Sequence, residues 1–498
     1  MSSAPWSGRR LHVLGIAGAG MSALAVLAKG LGAEVTGSDR GESRYLPGVR
    51  EAGIPVTIGH DAANLPDGDD LVVVSSTAIP EDNPERAEAR RRGLADRSRH
   101  GLLREVCAEH RVIAVAGAHG KTTTSAMVVH ALQGAGEDPS YLVGGILHAT
   151  GHNVHVGTSG WLVVEADESD RSFLETRPEI AVVTSVELDH HGTYDGLAGL
   201  EDAFREFLAG ARHRVVWDRP SLDRVVDAVA GPAAVHRYDA TDARVEDTSQ
   251  RFVLRCRSWP AGAGVVPARG GGFERRPGAD DAPLPDTSDV VAQDEADPAG
   301  PPWDGASVTL GQPGLHNAWN AAAAVVAAAA SGADVAQAAA ALATFPGTGR
   351  RFDRVGTGPA GAEVVDDYAH HPTEVAATIR AARTLGPGRV VAVFQPHLFS
   401  RTQMLAAEFG AALAEADLVC VLDVYPARER AEDFPGITGL TLARTAADAA
   451  DGRPVVLLPT IGDALERLPA LLHEGDLVLC MGAGDVDAVA RGLVAAAG

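Results

Sequence analysis

Short apolar runs that do not alternate with polar residues recur along this chain, and helical stretches separate them. The clearest are RVIAVAG at 111–117, WLVVEAD at 161–167 and VVAVFQP at 390–396. Strands that are apolar at every position are buried on both faces, as in parallel sheets covered by helices. The chain is therefore predicted to be an α/β protein with mostly parallel sheets.

Three such α/β blocks follow one another, and 498 residues suit three domains at roughly 150 residues each. We predict a Rossmann-like N-terminal domain over 1–110, a central P-loop ATPase-like domain over 111–348 and a C-terminal Rossmann-like domain over 349–498. Residues from about 257 to 303 are rich in Pro, Gly and acid. They hold too few apolar side chains to offset their ordering entropy, so this segment is predicted to be a disordered insertion.

Composition excludes several classes of function. A net charge of -23 disfavours binding to nucleic acid, because the phosphate backbone would be repelled. Four scattered cysteines without a CxxC pair indicate neither a zinc ribbon nor a disulfide framework, and fit a reducing cytoplasm. Apart from the N-terminal stretch described below, no apolar run reaches the ~18 residues of a membrane span, so no membrane insertion is expected. The sequence does not specify an oligomeric state.

The N-terminal segment has a second interpretation. Arg9 and Arg10 precede a long apolar run, a pattern that resembles a secretory signal. The run contains regularly spaced glycines, however, and leads directly into the strand-like VTGSD. We therefore interpret it as the first strand, turn and helix of a folded domain.

The strongest motif is GAHGKTTT at 117–124, between a predicted strand and a predicted helix. A glycine-rich turn at a helix N-terminus offers converging backbone N–H groups to phosphate oxygens. In such a loop Lys121 reaches the outer phosphates, and the Thr122 hydroxyl ligates Mg²⁺. Val115 stands where the commoner P-loop spacing has its first glycine, so this is a shorter variant. The motif predicts binding of a nucleoside triphosphate.

Acidic residues and histidines follow the next two strands of the central block. Glu165 ends one strand at the carboxyl edge, where open α/β sheets bind ligands, and a carboxylate there suits Mg²⁺. We interpret the acids after it as solvated loop charges: Asp167, Glu168 and Asp170. The next strand leads to His190, which is interpreted either as a structural residue or as a ligand of metal or substrate.

The turn of the first block reads GIAGAG, with Gly15, Gly18 and Gly20. A dinucleotide fingerprint would have glycine in place of Ala17. Asp39 lies at about the spacing at which an acid meets a ribose hydroxyl. The turn therefore predicts a site for a nucleotide diphosphate and disfavours NAD.

In the third block, polar segments follow three apolar strands: DDYAHHPTE (366–374), FQPHLFSRT (394–402) and DVYPARE (423–429). Their side chains are expected to converge at the carboxyl edge of a third sheet. An arginine there could clamp the carboxylate of a small zwitterion. The alternative is a set of ordinary loop polar groups.

Taken in order, these motifs resemble those of the Mur ligases. The resemblance rests on GAHGKTTT, EADESD, the DH of VELDHH, HNAWN (316–320), GRRFD (349–353), DDYAHHPTE and FQPHLFSRT, and covers the chain outside the insertion. It implies a cytoplasmic, ATP-dependent amide-forming ligase of peptidoglycan synthesis that needs Mg²⁺. Such an enzyme joins L-alanine to UDP-N-acetylmuramate through an acyl phosphate.

The resemblance also implies roles for single residues. Lys121 would contact the γ-phosphate, while Thr122 and Glu165 would hold one Mg²⁺ and His190 a second; Lys121, Glu165 and His190 are the expected catalytic residues. The other expected ATP contacts are Gly117, Ala118, His119, Gly120, Thr123, His316, Asn317, Asn320, Arg351 and Asp367. The expected UDP-sugar contacts are Gly15, Gly18, Ala19, Gly20, Asp39, Ser75 and Ser76. The expected amino-acid pocket consists of Tyr368, His370 and Arg401.

Three alternatives remain open at this point. A ligase that recycles murein tripeptide shares the motifs, although FQPH…SRT and YPARE favour the L-alanine branch. A nucleotide-sugar or NAD oxidoreductase could be built on the first block, and a regulatory module could bind ATP without turnover. Leu398 also departs from the family pattern, which has an arginine there, so the amino-acid preference is open among L-alanine, glycine and L-serine.

Overall fold

A computed structural model describes residues 4–76, 78–187, 193–229, 233–246, 249–259 and 305–497. These residues form three sheets, each covered by helices. His190 and nearly all of the predicted insertion lie outside the described residues. Residues 257–259, which we expected to begin the insertion, instead end a strand that runs to Trp259.

The first unit is a five-stranded parallel sheet in the order β3-β2-β1-β4-β5. Its strands are β1 (Arg10–Leu14), β2 (Glu34–Asp39), β3 (Val56–Ile58), β4 (Leu71–Ser75) and β5 (Ala95–Ser98). Its helices are α1 (Ala19–Gly30), α2 (Leu46–Glu51), α3 (Pro84–Arg92) and α4 (Arg99–Ala108). The strand order changes direction between β1 and β4, so a crevice opens at their carboxyl ends.

The middle unit is a nine-stranded sheet in the order β14-β13-β12-β11-β10-β6-β9-β7-β8. Its strands are β6 (Arg111–Ala116), β7 (Ser140–Leu147), β8 (His152–His155), β9 (Trp161–Glu165), β10 (Ile180–Val183), β11 (His213–Trp217), β12 (Ala234–Glu246), β13 (Ser249–Trp259) and β14 (Ser307–Leu310). Its helices are α5 (Lys121–Gly134), α6 (Gly196–Ala209), α7 (Pro220–Val226), α8 (Leu315–Ser331) and α9 (Val335–Ala341). The strands from β7 to β12 pair in parallel except at β8, and β13 and β14 add an antiparallel extension.

Helix α8 lies at the centre of the middle unit. Its residues from Asn317 to Ala328 are all buried, and it packs against α5 and β12. Alanine side chains let neighbouring elements approach closely, so this apolar segment folds as a packed helix. No helix in the described ranges is long and apolar enough to cross a membrane.

The third unit is a six-stranded sheet in the order β15-β16-β20-β17-β18-β19, parallel except for β15. Its strands are β15 (Asp353–Thr357), β16 (Glu363–Asp367), β17 (Arg389–Phe394), β18 (Leu418–Val421), β19 (Val455–Leu457) and β20 (Asp476–Met481). Its helices are α10 (Pro372–Arg383), α11 (Phe399–Met404), α12 (Ala406–Leu413), α13 (Gly439–Ala449), α14 (Ile461–Arg467) and α15 (Asp487–Ala497). The predicted α/β class with mostly parallel sheets is confirmed.

Candidate active site

The glycine-rich loop lies between β6 and α5, as the sequence predicts, and two of its glycines are sterically required. Gly117 has φ 139°, and a Cβ there would lie 2.2 Å from the Thr184 hydroxyl. Gly120 has φ 79°, and a Cβ there would lie 2.5 Å from Asn320 Oδ1. Side chains are strained in this region of φ and would collide with fixed neighbours, so only glycine fits.

The segment after β10 fixes the shape of this loop. Ala118 N donates to the Ser185 carbonyl and His119 N to the Ser185 hydroxyl, each at 3.1 Å. Both the carbonyl and the hydroxyl of Ser185 thus accept from the loop. The loop is therefore anchored to the end of the neighbouring strand.

The Lys121 side chain is partly buried, and its ammonium lies within a ring of acceptors. It donates to the Gly117 carbonyl at 2.7 Å and to Glu168 Oε1 at 2.9 Å. Burial alone would lower the pKa of Lys121, but the negative charges of Glu168 and Asp167 raise it. The lysine is therefore fully charged. Our interpretation of Glu168 as a solvated loop charge is wrong, because this residue is 3% exposed.

Thr122 and Glu165, the two expected Mg²⁺ ligands within the described residues, lie in contact. Thr122 Oγ1 donates to Glu165 Oε1 at 2.8 Å, and Gly144 N donates to Oε2 at 2.6 Å. Adjacent ligands of an octahedral Mg²⁺ at about 2.1 Å are roughly 3 Å apart. A hydroxyl and a carboxylate at this spacing therefore fit the ion. Arg351 from the third unit also reaches Thr122 Oγ1, at 3.3 Å.

His119 joins the loop to two carboxylates. Its Nε2 is 3.1 Å from Glu187 Oε2, and its Nδ1 is 3.1 Å from Glu374 Oε1 on α10. Burial would lower the pKa of His119, but the hydrogen bonds to Glu187 and Glu374 raise it to about 10. The imidazole is therefore protonated at neutral pH.

A cavity of about 960 Å³, counting its open mouth, extends from this loop between the middle and third units. Eight of the expected ATP-binding residues line it: His119, Gly120, Thr123, His316, Asn317, Asn320, Arg351 and Asp367. Asn320 links the loop to α8, since it accepts from Thr124 and donates to Asn317. Burial lowers the pKa of His316 to about 4, so this imidazole is neutral.

The far wall of the cavity is aromatic, and sequence reasoning missed it. Trp217 at the end of β11 and Trp319 on α8 have ring centroids 4.3 Å apart, and Tyr238 and Phe345 also line the cavity. The Trp319 Nε1–H has no acceptor within the described part of the chain. The motif HNAWN could have indicated this wall, because Trp319 stands between Asn317 and Asn320, two of the expected ATP contacts. Flat aromatic walls suit a planar ring.

The expected amino-acid pocket is also assembled, at the carboxyl edge of the third sheet. The Tyr368 and His370 rings are 5.3 Å apart, and His397 joins them with its ring 6.1 Å from that of His370. The Arg401 guanidinium, 7% exposed, lies 3.4 Å from His397 Nδ1. Burial lowers the pKa of His370 to about 4, and the Arg401 charge acts in the same direction.

Two residues beside this pocket have defined backbone roles. Asp367 accepts from Phe352 N and Ala369 N, each at 2.7 Å, so its oxygens hold the chain around the cavity. Leu398 has φ 70° and donates its N–H to the Tyr425 carbonyl at 3.0 Å. A branched side chain in the left-handed region is strained, and the surrounding loop holds it there.

The turn of the first unit is preformed by backbone bonds. Gly15 N and Ile16 N both donate to the Ser38 carbonyl, and Ala17 N donates to Asp39 Oδ2 at 2.8 Å. Asp39 thus braces the turn. Ala19 and Gly20 begin α1, while Ser75 ends β4 and Ser76 follows it, so all seven expected UDP-sugar contacts lie at the β1–β4 crevice.

The first unit meets the middle unit close to the expected metal ligands. Asn153 Nδ2 donates to the Ala19 carbonyl at 3.2 Å, and the Tyr45 hydroxyl donates to the Gly144 carbonyl at 3.4 Å. The Arg99 guanidinium lies close to Gly20, since a Cβ built on that glycine would be 3.3 Å from it. Arg99 also pairs with Asp170 of the middle unit. The Asp170 side chain is 38% exposed, which agrees with our interpretation of it as a solvated charge, although it pairs with Arg99.

Family sequence patterns match all three units. The pattern of the Mur ligase family catalytic domain matches residues 10–111, and that of the Mur ligase middle domain matches 115–258. The pattern described as Mur ligase, glutamate ligase domain matches 350–484.

Curated proteins and solved structures resemble the whole chain. A UDP-N-acetylmuramate–L-alanine ligase of Mycobacterium sp. (strain JLS) is 41% identical over 98% of this chain and 95% of its own. The ligase of that name from Mycolicibacterium vanbaalenii is 39% identical, with 98% and 96% covered. The crystal structure of UDP-N-acetylmuramate-alanine ligase from Thermotoga maritima superposes with a TM-score of 0.72, at 25% identity and 98% coverage of each chain. A murein peptide ligase of Psychrobacter arcticus shares the fold, with a TM-score of 0.62, 24% identity and 98% of each chain covered. This chain is therefore a member of the Mur ligase family.

Proposed function

We propose that this chain is the ATP-dependent ligase that joins L-alanine to UDP-N-acetylmuramate in peptidoglycan synthesis. The products would be UDP-N-acetylmuramoyl-L-alanine, ADP and phosphate. Relatives at about 40% identity carry this activity in their names and match nearly the full chain. We expect the reaction to take place in the cytoplasm.

One observation carries the proposal: a charged phosphate loop lies where all three units meet. Lys121 and Thr122 belong to the middle unit, and Arg351 reaches Thr122 from the third. On the other side, Tyr45 of the first unit contacts Gly144, whose N–H holds Glu165. A triphosphate on this loop would face a sugar nucleotide from one side and an amino acid from the other.

Phosphoryl transfer depends on positioning and on neutralising charge. Lys121 and Arg351 supply two positive charges beside the loop, and Lys121 would exchange Glu168 for a phosphate oxygen. Thr122 and Glu165 would hold Mg²⁺, with His190 as the expected ligand of a second ion. When bound, Mg²⁺ neutralises phosphate charge. The aromatic wall of Trp217 and Trp319 would receive the adenine ring.

The acyl phosphate formed on the lactyl carboxylate would then be attacked by the amine of L-alanine, and phosphate would leave. Arg401 would bind the amino-acid carboxylate. His370 is neutral, so it adds no positive charge that would repel the α-ammonium group. Leu398 removes the arginine that the family pattern has at this position, so Arg401 carries this role without that second guanidinium.

A phosphate-release assay tests the proposal. UDP-N-acetylmuramate, ATP and Mg²⁺ are supplied with L-alanine, glycine, L-serine or murein tripeptide. Amino-acid-dependent release of phosphate, highest with L-alanine, is expected. Release with tripeptide alone would instead assign the recycling reaction, and ATP binding without release would assign a regulatory module.

A further inference from the structure

Glu374 occupies an unusual position between two substrate sites. It lies in the first turn of α10, with 15% of its side chain exposed, and its two oxygens contact different parts of the molecule. Oε1 is 3.1 Å from Nδ1 of His119. His119 belongs to the glycine-rich loop between β6 and α5, residues 117–120, which we call the ATP loop after its proposed ligand. Oε2 accepts from the backbone N–H groups of His370 at 3.0 Å and of His371 at 3.3 Å. One carboxylate therefore spans the ATP loop and the amino-acid pocket.

The hydrogen-bond chemistry fixes the state of His119. Both ring nitrogens face carboxylate oxygens, and an ionised carboxylate can only accept. Both nitrogens must therefore carry protons, and the ring is an imidazolium. Glu187 anchors this imidazolium within the middle unit, and Glu374 draws the third unit onto it. Charge-assisted bonds of this kind are about twice as strong as neutral ones.

The same groups could be considered as a metal site, because His119, Glu187 and His371 place ligand atoms within 4.8 Å of one another. A histidine must be neutral to bind a metal. His119 is held as an imidazolium by its two carboxylates, which opposes loss of that proton. The geometry therefore favours a bridge between units over a third metal centre.

We propose, on the basis of the proposed function, that His119 and Glu374 are positioning residues that couple the ATP loop to the amino-acid pocket. A shift of the loop on ATP binding moves Glu374 through His119. Glu374 in turn moves the His370 backbone and with it the pocket. By thermodynamic reciprocity, binding at either site then favours binding at the other.

Steady-state kinetics of Glu374→Gln and His119→Asn test this coupling. Glutamine is accepted in a capping box, so the helix cap is kept, while its amide faces the imidazole poorly. We expect Glu374→Gln to raise KM for both L-alanine and ATP, the former by about tenfold, which is within the usual range of couplings. His119→Asn should also raise KM for L-alanine, although its side chain belongs to the ATP loop. The double variant should be no worse than the more impaired single variant, because both changes break one link.

A matched control is Glu415→Gln. This change removes the ion pair between Glu415 and Arg380, and Arg380 lies on α10, the helix that also carries Glu374. It should leave both KM values unchanged. A purely structural role for Glu374 predicts a lower Tm with no selective change in KM for L-alanine, and that result would overturn the inference. A His119→Asn variant that changes KM for ATP alone would also overturn the inference. This second measurement applies even where Glu374→Gln folds poorly.

The wild-type assay distinguishes a failure of the proposed function from a failure of the proposed coupling. A wild-type enzyme that shows no turnover with L-alanine would contradict the proposed function. A fully active wild type with multiplicative effects in the double variant would contradict only the coupling of the two sites.

Discussion

Two glycine turns in this molecule, each proposed to bind phosphate groups, differ in what surrounds them. The turn after β1 is closed by backbone bonds to Ser38 and by Asp39, which accepts from Ala17 N. The loop after β6 surrounds the partly buried ammonium of Lys121, which has Glu168 as its partner. The first turn is suited to holding a diphosphate that does not react. The second holds the Lys121 ammonium, which can exchange its carboxylate partner for an oxygen of a phosphate that does react.

The largest expected effect comes from removing the charge of the second turn. Lys121→Ala should lower kcat for phosphate release by roughly 10³-fold or more, because charge stabilisation at the transferred phosphate is lost. Binding of UDP-N-acetylmuramate, measured by calorimetry, should stay within a factor of two of wild type, roughly the scale on which distant sites are independent. Phosphate release near the wild-type rate would remove the contrast between the two turns.

The first turn is bonded to Ser38, whose hydroxyl donates to the buried carboxylate of Glu85. The pH dependence of stability tests whether Glu85 supports the turn. Glu85 is 0% exposed and accepts hydrogen bonds from four side chains: His12, Ser38, Asn64 and His60. Burial alone would raise the pKa of Glu85, but these bonds lower it to about 2 from 4.5. Because the folded-state pKa is depressed, the stabilisation is complete above pH 4.5 and disappears as the pH falls toward 2. It amounts to about 3 kcal/mol.

Chemical unfolding of wild type and Glu85→Gln between pH 3 and 7 measures this contribution. The glutamine variant should be less stable at pH 7 and should lose less stability on acidification than wild type. Glu81→Gln is the control, because Glu81 is 76% exposed in its ion pair with Arg86 and exposed pairs contribute little. Identical pH profiles for wild type and Glu85→Gln would contradict the support that we assign to Glu85.

A smaller effect is expected from the brace of the first turn. Asp39→Ala removes the acceptor of Ala17 N, which costs about 1.5 kcal/mol for a charged hydrogen bond. KM for UDP-N-acetylmuramate should rise about tenfold while KM for ATP is unchanged. Asp70→Ala, which removes an exposed acid of the same unit, should change neither value. An equal rise in KM for ATP would show that the two turns are not independent.

The smallest effect concerns the partner of Lys121. Glu168→Gln neutralises the group that competes with phosphate for the ammonium, so ATP should bind several-fold more tightly. The variant without nucleotide should have a lower Tm, because the partly buried Lys121 ammonium loses its ionised partner. The rise in Tm on adding ATP should be larger than in wild type. Weaker ATP binding would show instead that Glu168 orients the lysine for its ligand.

Sequence reasoning was most accurate where the chemistry is local. The apolar run at 161–167 gives a strand over Trp161–Glu165, and the run at 390–396 gives one that ends at Phe394. Such runs were predicted too long at their carboxyl ends, where apolar residues continue into loops that line the site. The antiparallel strands β13 and β14 were not predicted: β13 pairs with the preceding strand β12, and β14 pairs with β13 from beyond the predicted insertion.

The sequence by itself determined the three parallel α/β units, the glycine loop before α5 and membership of the Mur ligase family, since apolar runs, turn glycines and ordered motifs are local properties. Only the tertiary structure decided that Glu168 is buried against Lys121, that Trp217 and Trp319 form one wall, and that Glu374 reaches His119 across 255 positions. The physical reason is that burial and charge pairing depend on which elements pack together. An acid after a strand has the same local sequence whether it faces water or an ammonium group.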